Sequence, residues 1–144
     1  MTLVYRLVIA AAMVASGLLH AYLYVHGYGH IPSIGTGFLV QASVFCAVGV
    51  LLAVGAPRWF AWVSGLLSAG ALAAFGLSRT VGLWGFVETG WEPVPYAVLS
   101  VVAEAVAVLA AGCGQCAPRG GDGRICHVRH ACTTAVGSGT PESA

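Results

Sequence analysis

Apolar residues in this chain come in long unbroken blocks, with no regular alternation of apolar and polar positions. Four such blocks run over about 5–25, 38–56, 59–78 and 94–112. Each holds roughly 20 residues, and at ~1.5 Å rise per residue a helix of that length covers the ~30 Å hydrocarbon core of a bilayer. The missing two-residue alternation argues against a β-barrel. The separators carry turn residues: 26–36 contains Pro32 and several glycines, Pro57-Arg58 is a tight turn, and 79–93 is a longer loop. This pattern predicts an all-α fold, an integral membrane four-helix bundle with up-down topology over residues 1–112, followed by a tail at 113–144.

Composition strengthens the membrane reading. Hydrophobic residues make up 58% of the chain and charged residues only 8%, against about 25% charged in a soluble domain, too little to coat a water-facing surface. Arg6, near the start of the first block and followed by a run of Leu, Val, Ile and Ala, also fits a cleaved signal peptide. That block runs on into Leu18, Leu19 and Tyr22, which suits a span better. All six basic residues are arginine. With the N-terminus inside, Arg6, Arg58, Arg119, Arg124 and Arg129 fall on the inner side and only Arg79 on the outer. The positive-inside rule therefore predicts a multi-pass protein of the cytoplasmic membrane with both termini cytoplasmic. Tyr22, Tyr24, Tyr28, Trp84, Trp91 and Tyr96 form the expected outer aromatic belt, with Tyr5, Trp59, Phe60 and Trp62 the inner one. A net charge of +1 without a basic stripe argues against nucleic acid as a partner. The lipid bilayer is the partner the composition implies.

Within the fourth block Glu104 is the only formal charge. An ionisable residue at bilayer depth is costly and marks a functional site by default. In an up-down bundle Glu104 lies near mid-plane, with His20 and Gln41 roughly 5 to 8 Å outward of their own helix centres and Ser100 one turn from Glu104. His20, Gln41, Ser100 and Glu104 thus form an expected intramembrane polar cluster. It has three uses: relaying a proton, holding a polar ligand, or satisfying one buried carboxyl so that the helices keep their register. Arg79 stands roughly 15 Å outward of its helix centre, so it is expected to snorkel and meet Glu88 or Glu92. Ala61, Gly65, Ala69 and Ala73 in the third block and Ala103, Ala107 and Ala111 in the fourth are expected contact faces, within the bundle or in a homo-oligomer.

His20, His26 and His30 cluster near one boundary, yet His26 and His30 flank a Gly-Tyr-Gly turn rather than share a helical face. The tail carries Cys113-x2-Cys116-x9-Cys126-His127-x2-His130-x-Cys132. Such a set can wrap a tetrahedral zinc ion, and a reducing cytoplasm favours thiolates over disulfides. Its second half matches no common zinc spacing. Palmitoylation of Cys113 and Cys116 is an alternative, as is a disordered cytoplasmic tail, which the Gly, Pro, Ser and Thr content favours. No nucleophile–base pair or cofactor fingerprint stands out; Gly35-Thr36-Gly37 lacks the lysine and preceding strand of a phosphate loop.

Three segments carry a resemblance: Ile31-Pro32-Ser33-Ile34-Gly35 leading into Phe38-Leu39, the run from Ser78-Arg79-Thr80 to Glu88, and Leu99-Ser100-Val101-Val102-Ala103-Glu104. Over about 5–112 the chain resembles uncharacterised small four-helix integral membrane proteins of high-GC Gram-positive bacteria. That resemblance implies a fold and a host group and supplies no activity. The leading functional expectation is an accessory or interaction subunit in the cytoplasmic membrane, alone, as a homo-oligomer or beside a larger complex. A metal- or haem-binding membrane protein, using His20 with Glu104 or the tail cysteines, is the alternative. A small proton-coupled transporter acting as an oligomer is the third.

Overall fold

The computed structural model describes residues 2–82 and 94–115. Four α-helices follow one another: α1 at Leu3–Val25, α2 at Ile34–Val54, α3 at Trp59–Thr80 and α4 at Tyr96–Gln115, with a single 3₁₀ turn, Tyr28–His30, between the first two. All four are long and apolar enough to cross a membrane. These are the helices of a small multi-pass membrane protein.

The boundaries differ from the apolar blocks for local reasons. α2 begins at Ile34, ahead of the block at 38, because Gly35, Thr36 and Gly37 join the helix despite reading as separators. Gly35 is required there: a Cβ would stand 2.7 Å from the Tyr28 carbonyl oxygen and 3.0 Å from Gly29 Cα, so the 3₁₀ turn rests directly on this backbone. At the other end the Gly55 N–H donates to the Leu52 carbonyl at 3.2 Å and the Ala56 N–H to the Leu51 carbonyl at 2.9 Å. Gly55 has φ 109°, the left-handed conformation this double cap needs, and Pro57 then prevents continuation. α4 runs on to Gln115, so Cys113 belongs to the helix rather than to the tail.

α1 packs along both α2 and α4, and α3 packs chiefly along α4. The α1–α2 seam is tight because it is built on glycine. A Cβ at Gly17 would meet Cys46 Sγ at 2.6 Å and the Ala42 carbonyl at 3.0 Å. One at Gly49 would meet Val14 Cγ2 at 2.8 Å and the Ala10 carbonyl at 3.0 Å. Small residues let backbones approach in this way, and in lipid such close packing is a main source of helix association.

The expected α3 stripe is corrected in part. Ala61 is buried and Gly65 faces Ala111, but Ala69 and Ala73 are exposed. Ala61, Ser64 and Ser68 form the buried face instead. Residues four apart advance roughly 40° past a full turn at each step, so a strict four-residue stripe drifts off a straight partner. On α4 the expected face holds: Ala107 and Ala111 are buried and Ala103 is half-buried.

Burial divides the bundle lengthwise. Ile9, Met13, Phe45, Val48, Leu52, Ala61, Ala107 and Ala111 pack into an apolar core toward the end that carries the start of α1 and the end of α4. The other half holds His20, Gln41, Ser100 and Glu104, while Ser64 and Ser68 sit with the apolar core, Ser68 donating to Met13 Sδ at 3.4 Å.

Candidate functional site

Four side chains from three helices converge in that second half. Glu104 on α4 is only 3% exposed. Its Oε1 accepts two hydrogen bonds, one from the Ser16 hydroxyl of α1 at 3.0 Å and one from Gln41 Nε2 of α2 at 2.9 Å. His20 lies one turn beyond Ser16 on α1, with Nε2 4.0 Å from the same oxygen. A buried polar group without partners is costly, and here one carboxyl oxygen satisfies donors from two other helices.

The His20 ring is held on two sides. Its Nδ1 lies 2.9 Å from the Ser16 carbonyl oxygen, which can only accept, so Nδ1 carries the proton. Phe38 meets the imidazole edge-on, with ring centroids 5.1 Å apart. In the neutral ring the second nitrogen, Nε2, is then a lone-pair acceptor directed toward the carboxyl.

A cavity of about 90 Å³ opens beside this cluster. His20, Gln41, Ser100 and Glu104 line it, together with Tyr28, Phe38 and Phe75 and, on α3, Ser78 and Arg79. Ser100 does not bond to Glu104; its hydroxyl donates to the Ala97 carbonyl at 3.0 Å. Arg79 faces the same cavity as Glu104, with its guanidinium carbon 4.8 Å from the Phe75 ring centroid. Its side chain therefore turns back along α3 over Phe75, which the depth of its Cα alone did not indicate. Glu88 and Glu92, its expected partners, lie outside the described residues.

The expected cluster of His20, Gln41, Ser100 and Glu104 is thus gathered around one cavity, with Ser100 on the wall. Sequence reasoning missed Ser16, which donates the bond that ties α1 to Glu104. A signal was present, since Ser16 precedes His20 by four residues and shares its helical face. His26 stands apart: its ring stacks on Tyr22 at a centroid distance of 3.9 Å, and its Nδ1 donates to the Tyr22 carbonyl at 2.9 Å. His30 is exposed. Of the zinc candidates, Cys113 lies on α4, while Cys116, Cys126, His127, His130 and Cys132 lie outside the described residues. Among the described residues no three His, Cys, Asp or Glu side chains come together to hold a metal ion. No protein-family model, curated protein or solved structure matches the chain.

Proposed function

We propose that this chain is a four-span accessory or interaction subunit of the cytoplasmic membrane that binds a small polar molecule in the cavity beside Glu104. The helices run in up-down order with both termini on the cytoplasmic side. Support for the order comes from the seams: Gly17 meets Cys46 while Gly49 meets Ala10, and Ser16 meets Glu104 while Tyr22 meets Tyr96, so numbers rise on one helix as they fall on its neighbour. Support for the side comes from the five arginines against one.

One observation carries the binding role. The carboxyl that draws donors from α1 and α2 borders a cavity of about 90 Å³ instead of close-packed side chains. A carboxyl serving only helix register is best surrounded by full packing, because interiors rarely leave voids larger than water. Convergent polar groups in a largely apolar pocket are the usual form of a small-molecule site.

The test is retention. Protein purified in mild detergent is denatured and the released small molecules are measured by mass spectrometry, beside Ala74→Phe, which fills the cavity wall. Wild type is expected to release a near-stoichiometric molecule that the variant lacks. Identical extracts from the two proteins overturn the binding role. Co-purification of a defined membrane partner checks the accessory role, and recovery of the protein alone counts against it.

A further inference from the structure

Immediately around Glu104 most side-chain donors are spent inside the protein. The His20 Nδ1–H is used on the Ser16 carbonyl, the Ser16 hydroxyl on Glu104, the Ser100 hydroxyl on the Ala97 carbonyl, and one Gln41 N–H on Glu104. At the Glu104 end the lining then offers acceptors, the His20 Nε2 lone pair, the Ser100 oxygen and the Glu104 carboxyl, while the Arg79 guanidinium and the second Gln41 N–H are donors on the same lining. His20 Nε2 and Glu104 Oε1 are 4.0 Å apart, beyond direct hydrogen-bond distance. A donor placed beside both can serve each.

Around this acceptor end the walls are aromatic and apolar, from Phe38, Phe75, Leu23 and Ala97. Cations with an apolar body suit such a lining, since ring faces attract positive charge. Size narrows the class further. A cavity of roughly 150 Å³ holds benzene, so one of about 90 Å³ suits about three to five heavy atoms. We propose that the cavity binds a small primary or secondary ammonium, its N–H groups shared among His20 Nε2, Ser100 Oγ and Glu104, and its carbons against Phe38 and Phe75. This assignment rests on the cavity being a binding site and names what it selects.

Arg79 supplies an internal check. It lies on α3 eight residues past Ala71, another lining residue, roughly 12 Å along the helix. Its positive charge opposes a bound ammonium, so removing it should tighten binding; for an anionic ligand the sign reverses.

The experiment is calorimetric titration of the full chain in mild detergent with propylammonium chloride, beside tetramethylammonium chloride, which has the charge but no N–H. Propylammonium is expected to bind at millimolar concentration or tighter, and tetramethylammonium at least about tenfold more weakly. Glu104→Gln should weaken propylammonium binding at least about tenfold and Ser100→Ala severalfold, with helical content unchanged, while Arg79→Gln tightens it. Ser100 makes no bond to another helix, so its variant reports on the site even where Glu104→Gln folds poorly. Equal affinity for the two cations, or wild-type affinity in both Glu104→Gln and Ser100→Ala, overturns the proposal. Protein that retains a neutral or anionic molecule lost in Ala74→Phe, yet ignores propylammonium, overturns the ammonium class and leaves the binding role standing. Protein that does neither overturns both.

Discussion

The Ser16 hydroxyl donates to Glu104 Oε1 at 3.0 Å across 88 positions of chain, and this bond ties α1 to α4 at the level where the apolar core gives way to the cavity. Ser16 is 1% exposed, so its hydroxyl makes this bond away from bulk solvent. Interhelical hydrogen bonds in lipid average about 0.6 kcal/mol and reach ~2 kcal/mol. Ser16→Ala should lower stability within that range, measured by thermal unfolding in mild detergent. A double-mutant cycle with Glu104→Gln should show coupling between the two sites; additive effects would mean that the bond contributes nothing.

Glu104→Gln and Glu104→Leu should part company. Glutamine keeps an oxygen that can accept from Ser16 and Gln41, whereas leucine leaves the buried Ser16 hydroxyl and the half-buried Gln41 amide without this acceptor. Each such orphan costs about 1–3 kcal/mol. The leucine variant should therefore lose folded protein while the glutamine variant keeps its helical content, as read by circular dichroism and yield. Equal losses in the two would show that charge, rather than hydrogen bonding, holds the bundle.

At the α1–α2 seam, Gly17→Ala and Gly49→Ala force a Cβ to within about 3 Å of atoms on the facing helix. Overpacking of this kind costs about 1–3 kcal/mol. Gly37→Ala and Gly70→Ala, whose added Cβ meets nothing within 4 Å, should be neutral or stabilising by up to ~1 kcal/mol through helix propensity. Unfolding temperatures of the four variants check the contrast, and equal behaviour would show that the seam can open without cost.

Orientation is testable with an impermeant thiol reagent on intact cells. In a background with the native cysteines replaced, Ser33→Cys, between α1 and α2, should label from outside, while Thr2→Cys and Arg58→Cys should label only after permeabilisation. The reverse pattern would place both termini outside.

The meeting of Glu104 with His20 and Gln41 was legible because a single charge in a run of apolar residues is visible without coordinates, and the depth of the other two placed them near it. Ser16 was passed over although it shares a helical face with His20, because serine is common in apolar helices and the shared face does not by itself say which partner the hydroxyl meets. The α3 stripe failed for a related reason. A period of four matches two turns of helix well and longer stretches poorly, so Ala69 and Ala73 drift into exposure while Ser64 and Ser68 turn inward.

By itself the sequence determined four helices of membrane-crossing length, since length and apolarity are sums along the chain that need no partner. Tertiary structure alone decided which hydroxyl meets the carboxyl, which glycines form the seam, and that Arg79 and Glu104 share one cavity. Those depend on the rotation of each helix about its axis. That rotation is set by the packing of small residues between helices, a property of pairs of surfaces rather than of any one segment.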